Sequence, residues 1–328
     1  MTRTLTPAAS STLPSAIDWI FTLASLWFVG GLYLDGWAHV HVPGMESFFT
    51  PWHAVLYSGF FATFVASSFA LWKSRSQPEL KPYRLAFFAG LVFILGGVLD
   101  LTWHTLLGIE ANIAALLSPP HLLLATSGFM LVSSPLRAAW NRKTPTVPAM
   151  LSLGITYAML TFFTMYAVPL LQGVGVVDMW QSKSSGVMGV LIFSILLSGV
   201  MLFFMRRWTL PAGALALILL PAQLGLVVLD RVEADVIQLY YLTVGVSVVA
   251  LEVLRFLLKP SIQRVFAFRS MAFLMPAVFS LTYFLAVLLT GRMGWEIHLW
   301  LGTVFASGVF GVLLSYLVLP PEVTPEVV

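Results

Sequence analysis

The chain has 328 residues, of which 59% are hydrophobic and 9% charged, with a net charge of +3 and a mean hydropathy of +0.92. Soluble domains carry about 25% charged residues, so this composition excludes a water-soluble globule and reads as an all-α, polytopic integral membrane protein. There is no cysteine, which excludes disulfides, thiolate metal sites and iron–sulfur clusters and leaves nitrogen, oxygen or methionine sulfur to hold any metal.

Ten apolar segments follow in chain order, over about 16–34, 52–72, 85–107, 121–140, 147–171, 185–205, 209–229, 236–258, 270–290 and 299–319. A helix needs roughly 20 apolar residues to cross hydrocarbon, so the reading is about ten transmembrane helices with both termini on one side. That side receives 14 of the 17 Lys and Arg residues; Lys183, Arg231 and Arg292 fall on the other. By the positive-inside rule the termini are cytoplasmic. The pI near 9.2 then reflects topology and calls for no nucleic-acid partner. The first segment has only Arg3 ahead of it and no small-residue cleavage site, so it reads as a retained helix. The expected organisation is a duplicated metal-binding half over 1–145, a six-helix half of unassigned role over 146–320, and a short tail over 321–328.

All six histidines, His39, His41, His53, His104, His121 and His298, fall at or near the outer ends of these segments, together with nine of the 14 acids. Their order carries more than their number. The passage from Leu34 to Phe60 and the passage from Leu99 to Phe129 read as one motif written twice. Each has a Gly-Gly pair just upstream, then an Asp with a His four residues later: Asp35/His39 and Asp100/His104. Each continues with a Glu (Glu46, Glu110), a hydroxyl-Pro step (Thr50-Pro51, Ser118-Pro119), a His (His53, His121) and Ser-Gly-Phe.

Asp and His at i and i+4 share a helix face, so the two side chains can reach one ion. A Thr or Ser N-cap followed by Pro at the first helical position starts the next helix and places His53 or His121 in its first turn. A short hairpin returns that histidine to the first pair. The expected result is an Asp-His-His metal set at each of two helical hairpins, Asp35, His39 and His53, then Asp100, His104 and His121, with the hairpins running in parallel. Carboxylate with imidazole and no thiolate suits Cu(II), Fe(II), Zn or Mn.

At these residues the sequence resembles the C subunit of the copper-dependent membrane monooxygenases, the particulate methane and ammonia monooxygenase family. That subunit carries an Asp, a His four residues later, an acidic residue, then Phe-Thr-Pro-x-His, which here reads Asp35, His39, Glu46 and Phe49-Thr50-Pro51-Trp52-His53. The family's second set, Asn, His and a further His, is similar to Asp100, His104 and His121, with Asp100 replacing Asn. The resemblance covers roughly 30–130. It implies copper in the outer half of the membrane and, with other membrane subunits, O2-dependent hydroxylation of methane, ammonia or short hydrocarbons.

Other residues have two readings each. His41 is an exposed loop side chain or a further ligand. Glu46 and Glu110 are loop acids or carboxylates that orient the imidazoles. Glu296 and His298, beside Trp295, precede the last segment, where an aromatic belt is ordinary, or they converge on the metal sets. Glu252 and Arg255 read as a helix-surface ion pair. The functional alternatives are a non-catalytic copper-handling, assembly or sensing protein, a haem b carrier using His53 and His121, and a zinc-dependent membrane hydrolase. The partners expected are the bilayer and either other membrane subunits or further copies of the chain.

Overall fold

The computed structural model describes residues 16–42, 49–108, 113–177, 182–229 and 234–321, and every regular element among them is helical. Eight helical segments are long and apolar enough to cross a membrane, which makes the chain a polytopic helical membrane protein. Residues 1–31 with 48–156 form one compact unit, and 32–47 with 157–328 form another.

In the first unit the chain enters α1 (Ala16–His41), then α2 (Pro51–Lys73), a 3-10 turn (Pro78–Tyr83) and α3 (Arg84–Leu107). The short α4 (Ile113–Leu117) leads to α5 (Pro119–Val132) and α6 (Ser134–Ala139), and the unit ends within α7 (Val147–Phe163). Helices α5 and α6 make one membrane-length segment broken at Pro135. Proline cannot supply the helical N–H there. Ser152 of α7 bonds across the break, donating to the Val132 carbonyl at 2.7 Å and accepting the Leu136 N–H at 3.3 Å.

Backbones approach closely where the repeated glycines stand. A Cβ on Gly59 would fall 2.6 Å from the Phe28 backbone, and one on Gly31 would fall 2.6 Å from Leu56 Cα. In lipid, where burial of apolar surface does not drive helices together, such small-residue contacts hold them by van der Waals packing. Above the crossing, Phe28, Phe60 and Phe93 interlock, with Phe60 stacked on Phe93 at 4.3 Å and Phe28 set edge-on to Phe93 at 5.2 Å. At the start of α1 the buried Asp18 accepts hydrogen bonds from Tyr83 and, at 3.2 Å, from Arg142.

The second unit adds α8 (Lys183–Arg207), α9 (Ala214–Val228), α10 (Ala234–Leu258), α11 (Val265–Leu289) and α12 (Ile297–Val318). Two segments are shorter than their apolar patterns predict. The pattern over 147–171 yields a helix that stops at Phe163. Pro169 holds Val168 in an extended conformation, which forbids helix continuation. The pattern over 209–229 starts only at Ala214, after Pro211 and a left-handed Gly213. At 17 and 15 residues, α7 and α9 rise about 25 and 22 Å, short of the roughly 30 Å hydrocarbon layer. Glu252 and Arg255 pair at 2.7 Å as the spacing predicts, and Glu252 also accepts the Leu215 N–H at 3.0 Å in the first turn of α9.

Candidate metal centre

The set that lies wholly in the first unit is Asp100, His104 and His121. Asp100 and His104 stand one turn apart near the end of α3, so both side chains leave the same face. His121 comes from the start of α5. Ser118, extended at φ −61 and ψ 147, is the N-cap, with Pro119 and Pro120 at the first two helical positions, so His121 occupies the third. Packing brings the two helices together. A Cβ on Gly96 would lie 3.0 Å from the Leu124 side chain, so this glycine lets α3 settle against α5 one turn from both ligand positions.

The geometry converges on one oxygen. His104 Nε2 lies 3.4 Å and His121 Nε2 3.5 Å from Asp100 Oδ1. Asp100 is 2% exposed, and this Oδ1 has no hydrogen-bond partner. Two ligand atoms about 2.0–2.1 Å from one ion at a tetrahedral angle stand roughly 3.3–3.4 Å apart, so these separations suit an ion better than a direct hydrogen bond. An ionised carboxylate on an apolar span is unfavourable by about 2.5–3.5 kcal/mol at a helix centre, and a bound cation offsets that cost.

The far side of each ring is held. His104 Nδ1 is 3.3 Å from the Gly108 carbonyl, which can only accept, so Nδ1 is the donor there and Nε2 is the ring nitrogen turned to Asp100. Gly108 has a φ of +84°, a conformation open to glycine, and its N–H also closes the helix on His104 O at 3.0 Å. His121 Nδ1 is 2.7 Å from Ser118 Oγ, which leaves its Nε2 for the carboxylate side. Carbonyl and hydroxyl thus orient the two imidazoles in the manner of partners behind metal ligands.

Of the other expected set, Asp35 and His39 belong to the second unit and His53 to the first. Asp35 and His39 approach to 3.7 Å across one turn of α1. Thr50 caps α2 as Ser118 caps α5, accepting the His53 N–H at 3.1 Å behind Pro51. The expected set Asp100, His104 and His121 is therefore brought together within one unit and can hold a metal ion.

The remaining candidates separate from them. His41 is exposed, stacks on Trp37 at 5.2 Å and is 3.0 Å from the Trp37 carbonyl. Glu296 is bonded by Lys183 Nζ at 2.6 and 2.7 Å, and that ammonium holds its carboxyl below the usual carboxylate range. His298 is exposed in the first turn of α12. None of these three belongs to a metal-capable group among the described residues. Glu46 and Glu110 lie outside the described residues. Sequence reasoning missed Gly108 and the second role of Ser118. The only local signals were a glycine four residues after His104 and a capping hydroxyl three residues before His121. No protein-family model, curated protein or solved structure matches the chain.

Proposed function

We propose that the protein is a membrane metalloprotein that holds copper between Asp100, His104 and His121, with Asp35, His39 and His53 as a second ligand set. We further propose that it serves as a component of an O2-dependent monooxygenase acting on small apolar molecules or ammonia. One observation carries the metal reading: two imidazole Nε2 atoms face one buried carboxylate oxygen that has no hydrogen-bond partner. Copper over iron or zinc rests on the resemblance around Asp35–His53 and on the Irving–Williams order, in which Cu(II) stands highest at a nitrogen and oxygen site. Bound copper supplies one-electron chemistry with dioxygen.

The chain's own residues prepare that site. Asp100 contributes the negative charge, buried where its field is least screened. His104 and His121 present Nε2 because the Gly108 carbonyl and the Ser118 hydroxyl occupy Nδ1. Three protein ligands leave coordination positions open, as catalytic metal sites require.

The proposed layout has ten crossings, cytoplasmic termini and both ligand sets toward the outer face. If α7 and α9 did not cross, Arg206 and Arg207 would move to the other side, against the positive-inside rule. A correspondence between the hairpins supports the parallel duplication. Gly31 stands four residues before Asp35 and meets Leu56, three after His53; Gly96 stands four before Asp100 and meets Leu124, three after His121.

Non-catalytic copper handling is the second reading, favoured by the His121 side chain, which is 25% exposed and leaves a route for ion exchange. Oxygen uptake by membranes holding the full chain and its partner subunits separates the two. Substrate-dependent uptake with short alkanes or ammonia, lost in His104→Ala, supports the oxygenase. Copper held with no turnover in either protein supports handling.

A further inference from the structure

At the opposite end of α3 from the metal ligands, the first unit holds an excess of half-buried positive charge. Asp18 is 3% exposed, and both of its carboxylate oxygens are engaged, Oδ1 by the Tyr83 hydroxyl and Oδ2 by Arg142 Nη2 at 3.2 Å. Arg137, which precedes Arg142 by about one turn, is half-buried and makes no ion pair with that carboxylate. Its Nη1 donates to Ser133 Oγ and its Nη2 to Ser134 Oγ at 2.7 Å. Those hydroxyl protons are themselves committed, Ser133 to the Phe129 carbonyl at 2.6 Å and Ser134 to the Leu131 carbonyl at 2.8 Å. The serines therefore meet the guanidinium with lone pairs and fix its plane, and they add no charge.

Two guanidinium groups thus stand with a single carboxylate, paired to Arg142 alone, where α6 packs on the 3-10 turn at Pro78–Tyr83, and no acid pairs with Arg137 among the described residues. An uncompensated charge withdrawn from water is costly, and a counter-anion removes that cost. The surroundings say which anion. The cluster lies at the end of the membrane-length Pro119–Ala139 segment, and a segment of that length ends where headgroups begin; Lys81, Arg84 and Lys143 are exposed nearby in the chain, and Glu79 is the only acid between Lys73 and Arg84. A planar guanidinium held by its edges matches the oxygens of a phosphate.

We propose that Arg137, with Arg142, binds the phosphate of an anionic phospholipid. The site takes one headgroup, seated on a preformed guanidinium rather than drawn by diffuse charge, and it is independent of the metal reading.

The test is lipid retention by the full-length protein in native mass spectrometry, after exchange into mixed phosphatidylglycerol and phosphatidylcholine micelles. Wild type should keep one phosphatidylglycerol, and Arg137→Gln should bind it about tenfold more weakly. Arg75→Gln, which removes an exposed charge at the same end, should match wild type. Arg137→Lys keeps the charge without the fork and should fall between, and it serves if Arg137→Gln fails to fold. Millimolar inorganic phosphate should not displace the lipid. Equal retention by wild type and Arg137→Gln, equal loss in Arg75→Gln, or displacement by inorganic phosphate alone would overturn the proposal.

Discussion

His121 Nε2 lies 3.5 Å from Asp100 Oδ1, although the two residues come from different helices and the nearer imidazole, His104, stands at 3.4 Å from the same oxygen. Two imidazole Nε2 atoms around one carboxylate oxygen at these separations match ligands disposed about a cation. Asp100→Asn removes the charge that the cation compensates. The metal-dependent rise in melting temperature should vanish in this variant, while its metal-free form should melt no lower than metal-free wild type. Paired thermal melts with and without chelator check both halves.

Ser118 has two roles, capping α5 and holding His121 Nδ1 at 2.7 Å. Ser118→Ala should cost about 1 kcal/mol of stability from the lost cap. It should also weaken metal binding about 10–100-fold, because the ring is no longer held. Ser118→Thr keeps the hydroxyl and should restore most of the affinity. Metal titration of the three proteins separates the cap from the ring.

Neighbouring glycines should behave differently. A Cβ on Gly31 would fall 2.6 Å from Leu56 Cα, whereas one on Gly30 would meet nothing within 4 Å. Gly31→Ala should force α1 off α2 and destabilise by about 1–3 kcal/mol. Gly30→Ala should be neutral or stabilise by up to about 1 kcal/mol through helix propensity. Denaturant or thermal unfolding in detergent decides between them.

The Asp18 cluster ties α1 to the turn before α3 and to the chain after α6. Asp18→Ala leaves Arg142 without its carboxylate and Tyr83 without its acceptor, so it should destabilise by about 3–5 kcal/mol. Tyr83→Phe removes one neutral donor and should cost about 1–2 kcal/mol. A double-mutant cycle on Asp18 and Arg142 should show coupling well above the median for exposed ion pairs.

Local signals carried most of the site. The Asp and His pairs at i and i+4, the hydroxyl N-caps Thr50 and Ser118, and the prolines behind them all lie within a few residues of one another, and each appears where the pattern predicts. What the sequence left unread was set by distant neighbours or by backbone geometry. Lys183 reaches Glu296 across 113 positions, and Arg142 reaches Asp18 across 124, with no periodicity to link either pair. The Gly108 carbonyl serves His104 only because the helix ends there on a glycine of positive φ. Hydropathy likewise overran the helical extents of α7 and α9, since a sliding apolar count does not register Pro169 ending one helix or Pro211 and Gly213 delaying the other.

The most direct measurement of the central claim is metal content of the detergent-purified protein by plasma mass spectrometry, joined to low-temperature EPR, for wild type, His104→Ala and His121→Ala. Wild type should carry near-stoichiometric copper with nitrogen hyperfine structure from imidazole, and both variants should lose that signal component. A wild type that stays empty after copper and iron loading, or copper that persists unchanged in both variants, would contradict that claim.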